Sequence, residues 1–279
     1  MDWSTTSGVV TGASRGIGRA VVEALVARGA KVGAIARSAE DLEELRRTVT
    51  GKGQIVIATA DVAVRSEVEA AMCSLRNELG PIDVLVNNAG IGLYGPVARL
   101  KPEDAERLMR VNYLGTLYPT LAVLAEMIER RRGAIVNVGS IAGRLGAPFE
   151  AAYSASKFAV AGFTETLALE AAPFGVKVSM VNPGPVDTGF FAARGHPYKR
   201  RSPRPVPPER VASAVIDILE HPRVEATVPR ALRFAALLRN VAPRLYLSAT
   251  SRAFHAELAD LQASLSSANG PAQPAAEKL

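Results

Sequence analysis

Short apolar runs at residues 7–11, 31–36, 54–60, 84–86, 134–138, 176–181 and 226–228 alternate with longer segments that read as helices. Each run is too short for a buried helix. The residues are apolar continuously rather than at every second position, so both faces of each strand are expected to be covered. The intervening helical segments are 16–28, 39–50, 66–79, 103–132, 153–172 and 209–220. In the first of them Val21, Val22, Leu25 and Val26 share one side, and Gly29 is placed to stop it. Gly80-Pro81 ends the third and Gly133 the fourth, in which Pro119 is the expected point of interruption. Such alternation makes a parallel sheet with helices on both faces. Right-handed crossovers then give a doubly wound α/β fold, whose ligands sit beyond the carboxyl ends of the strands. Chemistry is therefore sought in the residues just after each strand.

The chain of 279 residues is long enough for one large domain of this kind or two small ones. A single cysteine excludes a disulfide scaffold, a cysteine-based zinc module and an iron–sulfur cluster. His196, His221 and His255 are too far apart for a local metal motif, so no metal is expected. No apolar stretch approaches the about 18 residues of a membrane span. The start, Met1-Asp2-Trp3-Ser4, has neither the basic residues nor the apolar run of a signal peptide, and a reducing, cytoplasmic setting is expected. The net charge of +6 is unevenly placed. Residues 1–193 carry 20 basic and 20 acidic side chains, residues 194–252 carry 12 and 4, and residues 253–279 carry 1 and 3. The surplus belongs to one late segment. No helix-turn-helix, zinc-finger or RNA-binding signature accompanies it, so nucleic acid is not expected as a partner.

The first strand runs into Thr11-Gly12-Ala13-Ser14-Arg15-Gly16-Ile17-Gly18. Glycines at a strand-to-helix turn let the backbone approach a pyrophosphate, which then meets the helix N-terminus and its partial positive charge. The spacing G-x-x-x-G-x-G differs from the common dinucleotide pattern, and Arg19-Ala20 in place of Lys-Ser/Thr excludes a P-loop. A ligand-free tight turn would use the same glycines. Gly12, Ser14, Arg15, Gly16, Ile17 and Gly18 are the candidates to hold the phosphates. At the end of the second strand, where an acidic residue would accept from the ribose 2′-OH of NAD, stands Arg37. A guanidinium suits a 2′-phosphate, and Arg15 is near enough in the pattern to join it, so NADP(H) is expected over NAD(H). Asp61 and Val62, after the third strand, are candidates for the adenine, although Asp61 is equally suited to cap a helix.

Further along, the fourth strand leads into Asn87-Asn88-Ala89-Gly90, the fifth ends at Ser140, and the next helix opens Tyr153-Ser154-Ala155-Ser156-Lys157. Tyr153 and Lys157 are i and i+4, hence on one helical face. An ammonium beside a phenol stabilises the phenolate and is expected to lower its pKa from about 10. Such a tyrosine can move a proton near neutral pH. Ser140 can hydrogen-bond a carbonyl oxygen. Singly, each has a plainer use, as core, solvated face or helix cap. A spacing of Ser154 to Lys157 like that of penicillin-binding proteins is rejected, because no Lys-Thr-Gly element follows.

Taken together these motifs resemble the short-chain dehydrogenase/reductase family in its single-domain branch, from residue 7 to about 229. The resemblance rests on residues 11–18, Asp61, residues 87–90, Asn112, Ser140, Tyr153-x-x-x-Lys157 and Pro183-Gly184. It implies a Rossmann-type catalytic domain over 1–229 that interconverts an alcohol and a ketone or aldehyde by hydride transfer with NADP(H). It implies Tyr153 as general acid/base, Lys157 as the group that lowers its pKa and holds the nicotinamide ribose, and Ser140 as the group that orients the substrate oxygen. Asn112 resembles the family's helix asparagine that fixes a water in the proton relay. Asn88, Ala89 and Gly90 would line the adenine-ribose side and brace the central sheet. Pro183, Gly184, Val186 and Thr188 would contact the nicotinamide carboxamide. The resemblance also implies a homodimer or homotetramer through the helices at 103–132 and 153–172. A catalytically silent nucleotide sensor or scaffold on this fold is the alternative, against which the Ser140, Tyr153 and Lys157 set argues.

Residues 194–208, with five prolines and Arg194, Lys199, Arg200, Arg201 and Arg204, correspond to the family's substrate lid. Leu93, Tyr94, Phe149, Phe190 and Phe191 flank the site in sequence and suggest an apolar pocket for a lipophilic substrate. Residues 230–279 form a helical C-terminal extension. On a helical wheel over 230–246, Arg230, Arg233, Asn240 and Arg244 fall on one side, with Phe234, Ala235, Leu238, Val241, Ala242 and Leu245 on another. Such a helix suits peripheral contact with an anionic membrane, packing on its own domain or a partner subunit. Residues 264–279, rich in Ser, Ala, Pro and Gln, are expected to be disordered.

Overall fold

A computed structural model describes residues 2–198 and 203–268. They fall into two compact units, one ending at Ala236 and the other beginning at Leu237. In the first unit the chain alternates β1 (Ser7–Thr11), α1 (Gly16–Ala27), β2 (Lys31–Ala36), α2 (Ala39–Thr48), β3 (Gln54–Thr59), α3 (Arg65–Leu79) and β4 (Val84–Asn87). It continues with α4 (Pro102–Leu108), α5 (Gly115–Glu129), β5 (Gly133–Val138), α6 (Ala151–Ala171), β6 (Val176–Pro183), α7 (Phe190–Ala193), α8 (Pro208–Glu220) and β7 (Glu225–Val228). The strands form one sheet in the order β3-β2-β1-β4-β5-β6-β7, with every pair parallel. This is the expected doubly wound Rossmann-type sheet. The direction of winding reverses between β1 and β4, which opens a crevice at their carboxyl ends.

Adjacent residues of a strand serve opposite faces. Val10 joins a core with Val21, Leu25 and Val215, whereas Val9 joins one with Leu75, Val123 and Leu167. Both faces are covered, which accounts for the continuous apolar runs. The long helix expected over 103–132 is divided, but at Met109–Leu114 rather than at Pro119. That segment is a π-helical turn, a widened stretch often found at functional sites, and it carries Asn112. Pro119 lies inside α5.

The C-terminal extension is helical, as expected. α9 (Arg233–Val241) contains the break between the units; α10 (Pro243–Ala253) and α11 (His255–Ala268) follow. The wheel considered over 230–246, whose continuity Pro243 already weakens, is interrupted at Ala242, at φ −135° and ψ 67°. Pro243 bars its predecessor from helical geometry and lacks an N–H to continue the ladder. Residues 264–268, expected to be disordered, continue α11; residues 269–279, Lys199, Arg200 and Arg201 lie outside the described residues.

Candidate active site

After β1 the backbone turns through Gly12 and Gly16, both at positive φ (63° and 55°), where a side chain would be strained. A Cβ on Gly12 would come within 2.8 Å of Ala89 Cα, and one on Gly18 would overlap the carbonyl oxygen of Gly12. The turn is tied to its neighbours from below. Ala13 N donates to Ile35 O at 3.0 Å. The buried Thr11 hydroxyl accepts from Asn88 N (3.0 Å) and Ala89 N (3.1 Å), and Asn88 Nδ2 donates to Thr11 O (3.0 Å) and Gly12 O (3.1 Å). Asn88 and Ala89 therefore brace the turn. What remains is bare backbone at the N-terminus of α1, with Ser14 and Ile17 part-exposed on it. These glycines keep clear the concavity that a pyrophosphate requires, so the turn fits a dinucleotide. The 183–188 loop closes over it: a Cβ on Gly16 would lie 3.1 Å from Thr188 Cγ2.

Arg15 and Arg37 are exposed, and neither side chain has a hydrogen bond or ion pair among the described residues. Asp61 does not cap α3, which begins at Arg65. Its Oδ1 accepts from Ala63 N (2.9 Å), and its own N–H donates to Glu67 Oε2 (2.8 Å). The Val62 side chain is buried against Gly115, where a Cβ would approach Val62 Cγ2 to 2.7 Å. Val186 is likewise buried, and its segment is held by Asp187 N to Val206 O (2.8 Å) and Val206 N to Pro185 O (3.0 Å). Gly184 N donates to Val228 O (2.7 Å). Pro183 closes β6, so the 183–188 loop leaves the sheet beside the crevice.

Ser140, Tyr153 and Lys157 converge at the carboxyl end of β5. Ser140 caps the short turn Ile141–Gly143, accepting from Ala142 N at 3.1 Å, and its side chain lies near enough to the Tyr153 phenol to influence its pKa. Tyr153 is 8% exposed and Lys157 5%. Burial pushes the phenol up to about 12; the neighbouring Ser140 side chain and Arg194 pull it down, and Glu150 pushes it up. Burial takes Lys157 down to about 8, and its ammonium donates to Val138 O at 3.0 Å. The expected acidification of Tyr153 by Lys157 is thus not seen. Desolvation outweighs any charge on the phenol, and Lys157 spends its hydrogen bond on the backbone of β5.

Asn112 is fully buried. Its Oδ1 accepts from Ile91 N (2.8 Å), and Nδ2 donates to Ile91 O (3.0 Å) and Ser156 Oγ (2.8 Å); Ser156 in turn donates to Tyr153 O (2.7 Å). A Cβ on Gly90 would lie 3.2 Å from Asn112 Oδ1 and 3.5 Å from Lys157 Nζ, so this glycine leaves room where the two converge. Behind them, Asn87 donates to Thr120 Oγ1 and Asn137 Oδ1 (both 2.9 Å), and Asn137 donates to Thr164 Oγ1 (2.8 Å).

The expected aromatic wall assembles around a group that sequence reasoning missed. Phe190 lies 5.7 Å from Tyr153, Tyr94 stacks on Phe149 at 5.4 Å, and Phe191 meets Phe190 at 5.8 Å. Between these rings the guanidinium of Arg194 is buried, 5.0 Å from the centre of Tyr94 and 4.6 Å from that of Phe191, and paired with Glu150. Phe149 has φ 66°, strained for an aromatic residue, and leads directly into Glu150. A second missed group joins the loop after Ser140 to the sheet. Arg144 donates to Glu225 Oε2 (2.7 Å) and pairs with Glu165 (2.5 Å), while Asn182 Nδ2 donates to Glu225 Oε1 (2.5 Å). Glu150 stands three residues before Tyr153, the one local hint available; Arg144 and Glu225 meet only through the fold.

The chain is 40% identical over 190 residues to a 3-ketodihydrosphingosine reductase of Bos taurus, matching 66% of this chain and 57% of that protein. It is 37% identical over 215 residues to the 3-oxoacyl-[acyl-carrier-protein] reductase FabG of Vibrio cholerae, 74% of this chain and 86% of that one. Among solved structures, an alcohol dehydrogenase from Thermococcus sibiricus complexed with 5-hydroxy-NADP superposes with TM-score 0.73 at 28% identity, covering 80% of this chain and 95% of the other. A 3-oxoacyl-[acyl-carrier protein] reductase from Brucella melitensis with bound NAD gives 0.70 at 30%, covering 80% and 89%. The family description short chain dehydrogenase fits residues 8–199, which includes the glycine turn, Ser140, Tyr153 and Lys157, and this chain belongs to that family.

Proposed function

We propose that this protein is an NADP(H)-dependent reductase of ketones carried on apolar chains. The observation that carries the reading is the buried Ser140–Tyr153–Lys157 cluster at the carboxyl end of β5. A phenol held protonated, at about 12, is ready to give a proton, as ketone reduction requires. Ser140 orients the substrate oxygen beside it. Lys157 and Asn112 Oδ1, which converge at Gly90, lie on the route by which the phenol regains its proton. The backbone at Gly12, Gly16 and Gly18 would hold the cofactor's pyrophosphate, and Arg15 and Arg37 its 2′-phosphate. A bound nicotinamide supplies the hydride. Leu93, Tyr94, Phe149, Phe190 and Phe191 suit an apolar substrate, and two relatives are named as a 3-ketodihydrosphingosine reductase and a 3-oxoacyl-[acyl-carrier-protein] reductase. Assembly through α5 and α6 is supported by the exposed Leu121 and Leu169 on those helices.

Loss of NADPH absorbance over a panel of 3-keto acyl and long-chain amino-ketone substrates tests the reading. Tyr153→Phe is expected to lower kcat by about 10²–10⁴-fold, with the Kd for NADPH little changed. Full turnover by the Phe variant, or a preference for NADH in the natural chain, overturns the corresponding part.

A further inference from the structure

Between Glu225 and Glu257 the chain carries no acidic residue and five arginines: Arg230, Arg233, Arg239, Arg244 and Arg252. Within α9, Phe234, Leu237, Leu238 and Val241 stand at i, i+3, i+4 and i+7, one face of a helix. α10 adds Leu245 and Leu247. These six large apolar side chains are each between 39% and 75% exposed. Leu237, which the wheel over 230–246 left off the apolar side, belongs to the stripe. An exposed apolar helix face of the kind that α9 carries marks a place where something binds.

The charge decides between the candidates. Arg233 lies at the edge of the stripe, with its guanidinium 4.9 Å from the Phe234 ring, and Arg244 and Arg252 are exposed along α10. A second copy meeting this face about a two-fold axis would bring like charges together with no acidic partner between them. An anionic lipid surface takes the apolar side chains below its headgroups and the arginines among them, their apolar stems spanning the distance. No helix among the described residues is long and apolar enough to cross a membrane, so α9 would lie in the interface rather than span it. We propose that residues 230–252 dock this protein on an anionic bilayer. The proposal goes beyond the carbonyl chemistry and does not depend on it.

Sedimentation of the full chain with vesicles of phosphatidylcholine alone, and of phosphatidylcholine mixed with phosphatidylglycerol, tests it. Binding to the mixed vesicles is expected to be at least about tenfold tighter than to the neutral ones. The triple variant Leu237→Glu, Val241→Glu, Leu245→Glu is expected to lose at least about tenfold in binding. The double variant Arg233→Glu, Arg244→Glu should lose the preference for the anionic lipid, and circular dichroism should remain unchanged in both. Equal binding to both vesicles, or to neither, overturns the proposal. So does a triple variant that still sediments with vesicles but turns a dimer into a monomer by light scattering, which would make the stripe a contact between copies. Sedimentation reads nothing from turnover, so failure of the reductase reading leaves its result intact.

Discussion

The turn from β1 to α1 and the segment 190–198 are built in opposite ways. At the turn, side chains are left out: Gly12 and Gly18 pass so close to Ala89 and the turn's own carbonyl that even a methyl group does not fit, and Gly16, at φ 55°, leaves only a tight gap to Thr188. At 190–198, side chains are brought together: Phe190, Phe191 and Arg194 meet Tyr94, Glu150 and Tyr153. The turn is backbone held by backbone and by Asn88, which suits a ligand part that is the same in every turnover. The aromatic and charged cluster is a set of replaceable pieces, which suits a part of the ligand that distinguishes one substrate from another. Constancy on one side and selectivity on the other are thus built from different materials.

The sharpest way to break the contrast is to add a methyl group on the turn. Gly18→Ala forces a Cβ onto Gly12 O and Asn88 Nδ2. Backbone cannot step aside as a side-chain tip can, so a loss of about 3 kcal/mol, or ~100-fold in the Kd for NADPH, is expected. Fluorescence titration measures the affinity, and a thermal melt separates local from global damage. On the other side, Arg194→Met leaves the half-buried Glu150 without its partner. Its expected signature is different: kcat/KM for the ketone falls about 10–100-fold through misplacement of the substrate pocket, while the Kd for NADPH stays within about twofold. If both variants damage cofactor and ketone parameters alike, the two regions are not separate in function.

The same contrast explains what could be read from the chain before its structure. The parallel sheet was legible because strands covered on both faces must be continuously apolar, as Val9 and Val10 illustrate by serving opposite cores. The glycine turn was legible because its geometry forbids side chains, and the absence of a side chain is visible in a sequence. Tyr153 and Lys157 were legible as a spacing on one helix. Arg194 with Glu150, Arg144 with Glu225, and Asn87 with Asn137 were not, because each pair joins segments 44 to 81 residues apart and no local periodicity records it. The acidification of Tyr153 failed for another reason: charge type is written in a sequence, but burial is not, and burial sets both groups here. The break at Ala242 was legible too, since Pro243 weakens any continuous helix over 230–246.

A smaller effect is expected from the edge of the turn. Arg37→Ser removes a charged donor that has no partner among the described residues, so the fold should be unmoved. Loss of one exposed charge-assisted contact to a 2′-phosphate is expected to raise the KM for NADPH about tenfold, with that for NADH unchanged. Adding Arg15→Ser should widen the effect on NADPH alone. Equal changes for both cofactors would mean that these arginines do not read the 2′-position.

The finest comparison is between the two groups at the centre, since burial moves their pKa values in opposite directions. Tyr153, pushed up to about 12, keeps its proton throughout the range in which the enzyme can be assayed. Lys157, brought down to about 8, does not. Below pH 8 both carry protons, and the cluster is set to reduce a ketone. As pH rises through 8 the ammonium is lost while the phenol remains neutral, so the rate of reduction should fall with an apparent pKa near 8, not near the 10 of a free tyrosine. The stability of the fold responds with the opposite sign. The unfolded chain holds the lysine proton up to 10.5 and the folded one only to about 8, so the burden of burying that charge is present below pH 8 and is relieved as pH climbs toward 10.5. Activity and thermal stability measured across pH 6–10 should therefore diverge above 8. Lys157→Arg should carry the activity limb upward out of the range, because a guanidinium keeps its proton there. A limb that stays near 8 in the Arg variant would assign the titration to another group.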